Sequence, residues 1–138
     1  MAAFNKFNQF AGDVGIGVHN LNTGTLKIAL TNSAPAAANT ILANITQITG
    51  ANGYTTGGTA VSSAAYSQTT GTGTLSGNDV VFTATGAVGP FRYAVLYNDT
   101  PTSPADPLIG WWDYGSSISL ANGETFTVDF GASILTLA

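Results

Sequence analysis

At 138 residues the chain has the length of one domain with its own core, and is too short for two ordinary ones. Three Lys and Arg against seven Asp and Glu leave only 7% of the residues charged, with a net charge of −4, where an average soluble domain is about 25% charged. Three cations cannot neutralise a run of phosphates, so nucleic acid and anionic membrane are excluded as main partners. The absence of cysteine excludes disulfides and thiolate metal sites.

The first twenty residues stand apart from the rest. Phe4, Phe7 and Phe10 recur every three residues and Val14 and Val18 follow at four, the spacing of one helical face. This predicts a short helix over about Ala3 to Phe10, extending toward Val18, although Gly12, Gly15 and Gly17 each cost about 1 kcal/mol there relative to Ala. The N-terminus lacks the apolar core of a signal peptide, and no stretch approaches the roughly 20 apolar residues of a membrane span. Synthesis in a cytoplasm is the expectation.

From Thr25 the period changes to two. "TLKIALTN" alternates Leu26, Ile28 and Leu30 with Lys27, Ala29 and Thr31, a half-buried strand. A mixed connection follows, with Pro35 as breaker and a short apolar segment at Ile41 to Ile48. "NGYTTGG" is turn chemistry, and "TAVSSAAYSQTTG" and "GTLSGNDVVFTATG" read as strands of small and β-branched residues. "FRYAVLYND", "PLIGWWDYG", "SISL", "ETFTVDF" and "SILTLA" continue the series. The whole predicts a mainly β single domain over 1–138: a helical segment in 1–20, then an antiparallel β-sandwich or barrel-like unit over 25–138.

Arg92, the only arginine, lies in "GPFRYAVLYND" between two aromatics. Phe91, Tyr93, Val95 and Tyr97 fall on one face and Arg92, Ala94, Leu96 and Asn98 on the other, as in a strand covered on both sides. In a hairpin with "PLIGWWDYG", one register sets Arg92 opposite Asp113, Tyr93 opposite Trp112 and Leu96 opposite Ile109. A cross-strand ion pair with aromatic neighbours needs no substrate to explain it, so Arg92 and Asp113 read as a structural clamp.

No catalytic constellation assembles. His19 is the only histidine and sits at a helix end beside a turn, where capping or packing is the ordinary role. Asp99, Asp106 and Asp113 surround one hairpin, but the first two occupy loop positions that favour Asp for turn geometry. Trp111, Trp112 and Tyr114 suggest a sugar platform, yet adjacent tryptophans on a strand point to opposite faces. Neither "GAVGP" nor "TTGGT" has the lysine and helix of a phosphate loop. No enzyme, metal or cofactor is predicted.

Taken in order, "MAAFNKFNQF", "GVHNL", "TLKIALTNSAP", "NGYTTGGT", "GPFRYAVLYND", "DPLIGWWDYGSSISL" and "GETFTVDF" resemble a family of small virion structural proteins of tailed phages and prophages. The resemblance spans nearly the whole chain and is most specific in the Gly89–Leu120 block. It departs at "AGDVGIGV", which is glycine-rich where a helix former is expected. It implies a non-enzymatic virion component that associates with the major capsid protein or other virion proteins and forms homo-oligomers. A capsid decoration protein is the first expectation. A tail tube, adaptor or fibre-base subunit, or a host-carbohydrate-binding module on the virion, are the alternatives. The charge-poor surface agrees, because covering it strips few ions of water. Candidate interface residues are Phe4, Phe7, Phe10, Tyr54, Trp111 and Trp112.

Overall fold

The computed structural model describes residues 2–138. Strand β1 (Asn5–Lys6) precedes helix α1 (Asn8–Gly15) and strand β2 (Leu26–Thr31); a 3-10 turn, Leu42–Asn44, follows. The remaining strands are β3 (Thr59–Ala60), β4 (Ala65–Thr69), β5 (Thr72–Ser76), β6 (Val80–Thr83), β7 (Val88–Asn98), β8 (Leu108–Leu120), β9 (Thr125–Val128) and β10 (Leu135–Leu137). A five-stranded sheet has the order β1-β8-β7-β2-β3, a three-stranded one β10-β5-β4, and β6 pairs with β9. Every pairing between these strands is antiparallel. The chain is mainly β with one short helix.

The helix starts at Asn8, not at Ala3 as the phenylalanine spacing predicts. The reason lies on β8. Phe4 packs on Trp112 with ring centroids 5.4 Å apart, and Phe7 on Trp111 at 4.6 Å. Those tryptophans belong to different core clusters on the two sides of the sheet. Residues three apart share a face in a helix but lie on opposite faces of an extended chain, so only the extended form reaches both. Asn5 and Lys6 therefore pair with Trp111 and Gly110 at the β8 edge. Helix α1 then runs through Gly12, held by a face that buries Phe10 and Asp13. It stops where Gly17 takes φ +82°, with Gly17 N–H donating to Val14 O and Val18 N–H to Asp13 O, a glycine-terminated C-cap.

Strand β2 is buried on both faces rather than half-buried: Leu26, Ile28 and Leu30 enter the main core, and Ala29 and Thr31 are fully covered from behind. The cover is a second cluster of Phe7, Ala29, Leu42, Ile45, Val95, Tyr97 and Leu108, supplied partly by the 3-10 turn. A polar network ties the following loop to β2 and β7. Tyr54 Oη donates to Gln47 Oε1 at 2.7 Å and accepts from Leu30 N–H at 3.1 Å. Gly57 N–H also donates to Gln47 Oε1, and Tyr97 Oη donates to the Gly57 carbonyl. Burial pushes the Tyr54 hydroxyl up to about 12 and raises that of Tyr97 as well.

Strands β7 and β8 form the central ribbon, and "PLIGWWDYG" and "SISL" are one continuous strand. Leu96, Val95, Leu108 and Ile109 are fully buried. The ribbon carries three register shifts, between Val88 and Phe91, between Phe91 and Tyr93, and, within its buried end, between Leu96 and Tyr97. The last adds Ile109 to β8, so that Ile109 and Trp112 share the main core while Leu108 and Trp111 face the second cluster. Gly110 sits at this bulge, where a Cβ would fall on the Phe4 ring.

Candidate functional site

Arg92 and Asp113 meet through two parallel bonds, Nε to Oδ1 at 2.8 Å and Nη2 to Oδ2 at 3.1 Å. The register that joins them differs by one from the expected one: Asp113 is opposite Tyr93, Trp112 opposite Ala94, and Gly110 opposite Leu96. A bulge explains how the contact survives. Phe91 shares the main core with Ala94 and Leu96, three and five residues on, so strict alternation fails beside Arg92, where the β7–β8 register shifts. There the guanidinium lies over the Tyr93 ring, 5.4 Å from its centroid. The bond to Arg92, with Gly115 N–H as second donor to Oδ1, holds the Asp113 carboxyl below the usual carboxylate range. The Arg92 guanidinium is correspondingly raised by its bond to Asp113. Each side chain is 38% exposed, so the pair faces solvent.

Beside this pair a cleft of about 240 Å³ opens between the β7–β8 ribbon and β9. Trp112 and Ala94, both buried, form its base; Tyr114 and Phe126 stand beside it, and Arg92 and Asp129 bring charge to it. Tyr114 is 57% exposed and meets Phe126 edge-on at 5.7 Å. Phe126 in turn packs on Phe91 at 4.9 Å, so the exposed ring rests on core aromatics.

The other sequence candidates take different places. Phe7, Phe10, Tyr54 and Trp112 are buried within the chain itself, while Phe4 and Trp111 are half-buried. The large apolar side chains left open, among the described residues, are Ile16, Val81 and Tyr114. His19 packs edge-on against Phe10 at 5.2 Å, and its Nδ1 lies 3.2 Å from Asn98 Nδ2. Burial lowers its pKa below 6.5 and the Asp13 charge opposes that only in part, so the imidazole is neutral near pH 7. A second, more open cavity of about 380 Å³ lies beside it, lined by Leu21, Tyr66 and Leu137 among others.

Asp99 pairs with Lys27 at 3.0 Å and is lowered by it; Asp106 is raised by burial and by Asp99. Asp113 stands apart, engaged with Arg92. Among the described residues, no three His, Cys, Asp or Glu side chains are grouped to hold a metal ion, and no helix is long and apolar enough to cross a membrane. Sequence reasoning missed Phe126 and Asp129, which reach the cleft through the fold and carry no local motif. Comparison of the chain with protein-family models, with curated proteins and with solved structures gives no match.

Proposed function

We propose that this chain is a virion structural protein that seats on the outside of an assembled capsid in many copies and stabilises it, without covalent chemistry. The observation that carries this reading is where the charges go. Lys27 and Arg92 are paired with Asp99 and Asp113, and Asp13 is buried. Asp79, Glu124 and Asp129 accept the backbone N–H groups of Phe130, Ala121 and Gly131. Most of the few charges are thus committed to local structure, and the remaining surface is Thr, Ser, Asn, Gly and Ala. Covering such a surface costs little desolvation, and exposed, uncharged β4 (Ala65–Thr69) offers an edge of that kind. Phe7, Phe10 and Tyr54 hold the fold, so the contact falls to half-buried Phe4 and Trp111, to exposed Ile16 and Val81, and to backbone edges.

A domain that binds the assembled lattice and not its separated subunits stabilises the particle by mass action. The test strips the protein from purified particles and follows DNA release on heating. Earlier release from stripped particles is expected; equal resistance overturns the capsid role. Copy number decides the position in the particle. Many copies over the shell fit decoration, whereas a few copies at one vertex replace it with a tail component.

A further inference from the structure

We propose that the cleft beside Arg92 and Asp113 is a binding site for a neutral saccharide, with Tyr114 as its stacking platform. The proposal does not depend on where in a particle the chain resides. Its chemistry follows from four features of the cleft. Tyr114 is more than half exposed yet braced by Phe126, so a flat apolar ring is displayed without being free to collapse. A buried indole, Trp112, lies at the base. Such surfaces suit a ligand with an apolar C–H face, and a ring braced in advance loses little entropy on binding.

The polar groups decide the rest. Arg92 is already bonded twice to Asp113, which leaves it able to donate through its remaining N–H groups but with its charge balanced. Asp129 adds a carboxylate at the cleft, and its Oδ1 is taken by Gly131 N–H while Oδ2 can accept. The side chains Arg92, Asp113 and Asp129 together carry one negative charge, which disfavours an anion; a purely apolar ligand would strip these groups of water without replacing their bonds. A ligand with hydroxyls on its edge and C–H groups on its face satisfies both. The volume, about 240 Å³, falls below the roughly 300–1,000 Å³ of drug-sized sites, which fits one or two sugar rings, the remainder of a chain lying in solvent.

The two tryptophans provide an internal control, because Trp112 borders the cleft while Trp111 packs on Phe7 in the other cluster. The experiment titrates the ¹⁵N-labelled full chain with maltose, cellobiose, lactose and N,N′-diacetylchitobiose, with sialyllactose as the anionic comparison, and follows both indole N–H signals. At least one neutral disaccharide is expected to move the Trp112 signal saturably in the millimolar range and leave Trp111 in place. Tyr114→Ala should weaken that binding about tenfold, equivalent to loss of one stacking contact of roughly 1.4 kcal/mol, and Tyr114→Phe should retain it. If no neutral sugar moves Trp112, if sialyllactose binds better than every neutral probe, or if the response survives Tyr114→Ala, the proposal is overturned.

Discussion

The two ends of the β7–β8 ribbon differ in residue type, aliphatic and aromatic at one and rich in Gly and Ser at the other, and they do different things. From Tyr93 to Asn98, paired with Leu108 to Asp113, the ribbon is enclosed by a core cluster on each face, and Val95, Leu96, Leu108 and Ile109 are fully buried. From Val88 to Arg92, opposite Tyr114 to Leu120, it is covered on one side, interrupted by bulges, and mostly exposed along β8. The surroundings differ as well: the 3-10 turn and the Gln47–Tyr54–Tyr97 network back the first end, while β9 and a bond from Ser117 Oγ to Asn32 Oδ1 reach the second. One end anchors, and the other displays Tyr114 and the ion pair.

If that contrast is real, equal truncations should not cost the same at the two ends. Leu96→Ala should destabilise by about 2–5 kcal/mol in denaturant unfolding, whereas Ile118→Ala, at a half-buried position of the open end, should cost clearly less. Comparable losses would erase the distinction. A smaller effect probes the polar backing. Tyr54→Phe leaves Leu30 N–H without its acceptor and Gln47 Oε1 with Gly57 N–H alone, a cost of about 1–3 kcal/mol, and hydrogen exchange at Leu30 should accelerate while that at Phe91 changes little.

The next expected effect is pH-dependent and belongs to the helix end. His19 has a folded pKa below 6.5 because it is buried, so between those two values the unfolded chain binds more protons than the folded one. Stability is then complete above about pH 6.5 and falls as the pH drops through the folded pKa. His19→Asn should flatten the stability profile between pH 7.5 and 5.5, and an unchanged slope would assign it to the carboxylates.

The smallest effect is expected where the sequence draws most attention. Arg92→Met and Asp113→Asn remove partners of a solvent-facing pair, and exposed pairs contribute little. A double-mutant cycle should return a weak coupling that shrinks further at high salt. A coupling as large as that of a buried pair would show that the open end is more enclosed than its exposure indicates.

These expectations show what was legible beforehand. Period-two patterning identified the mainly β class, and apolar residues at both parities of "FRYAVLYN" marked a strand covered on two sides. Register was not legible, because the bulges after Phe91 and at Ile109 are set by what packs on each face and by no residue type in β7 or β8 alone. The helix start was misplaced because a three-residue spacing of phenylalanines suits one helical face and also the two faces of an extended segment. Arg92 and Asp113 could be paired from charge scarcity in a hairpin. The cleft could not, since Phe126 lies on β9 and Asp129 just after it, and β9 pairs with β6, not with the ribbon.

The straddling of β8 by Phe4 and Phe7 has a consequence for synthesis. Asn5 bonds to the Trp111 carbonyl across a separation of 106 residues. At roughly 5–20 residues per second on the ribosome, the N-terminal segment waits on the order of 5–20 s before its partner strand exists. During that interval Phe4 and Phe7 lack the tryptophans they pack on, and the main sheet gains its β1 edge only once β8 exists. A chain built this way cannot close that edge of its main sheet before β8 is made, and until then Phe4 and Phe7 are open to other apolar partners.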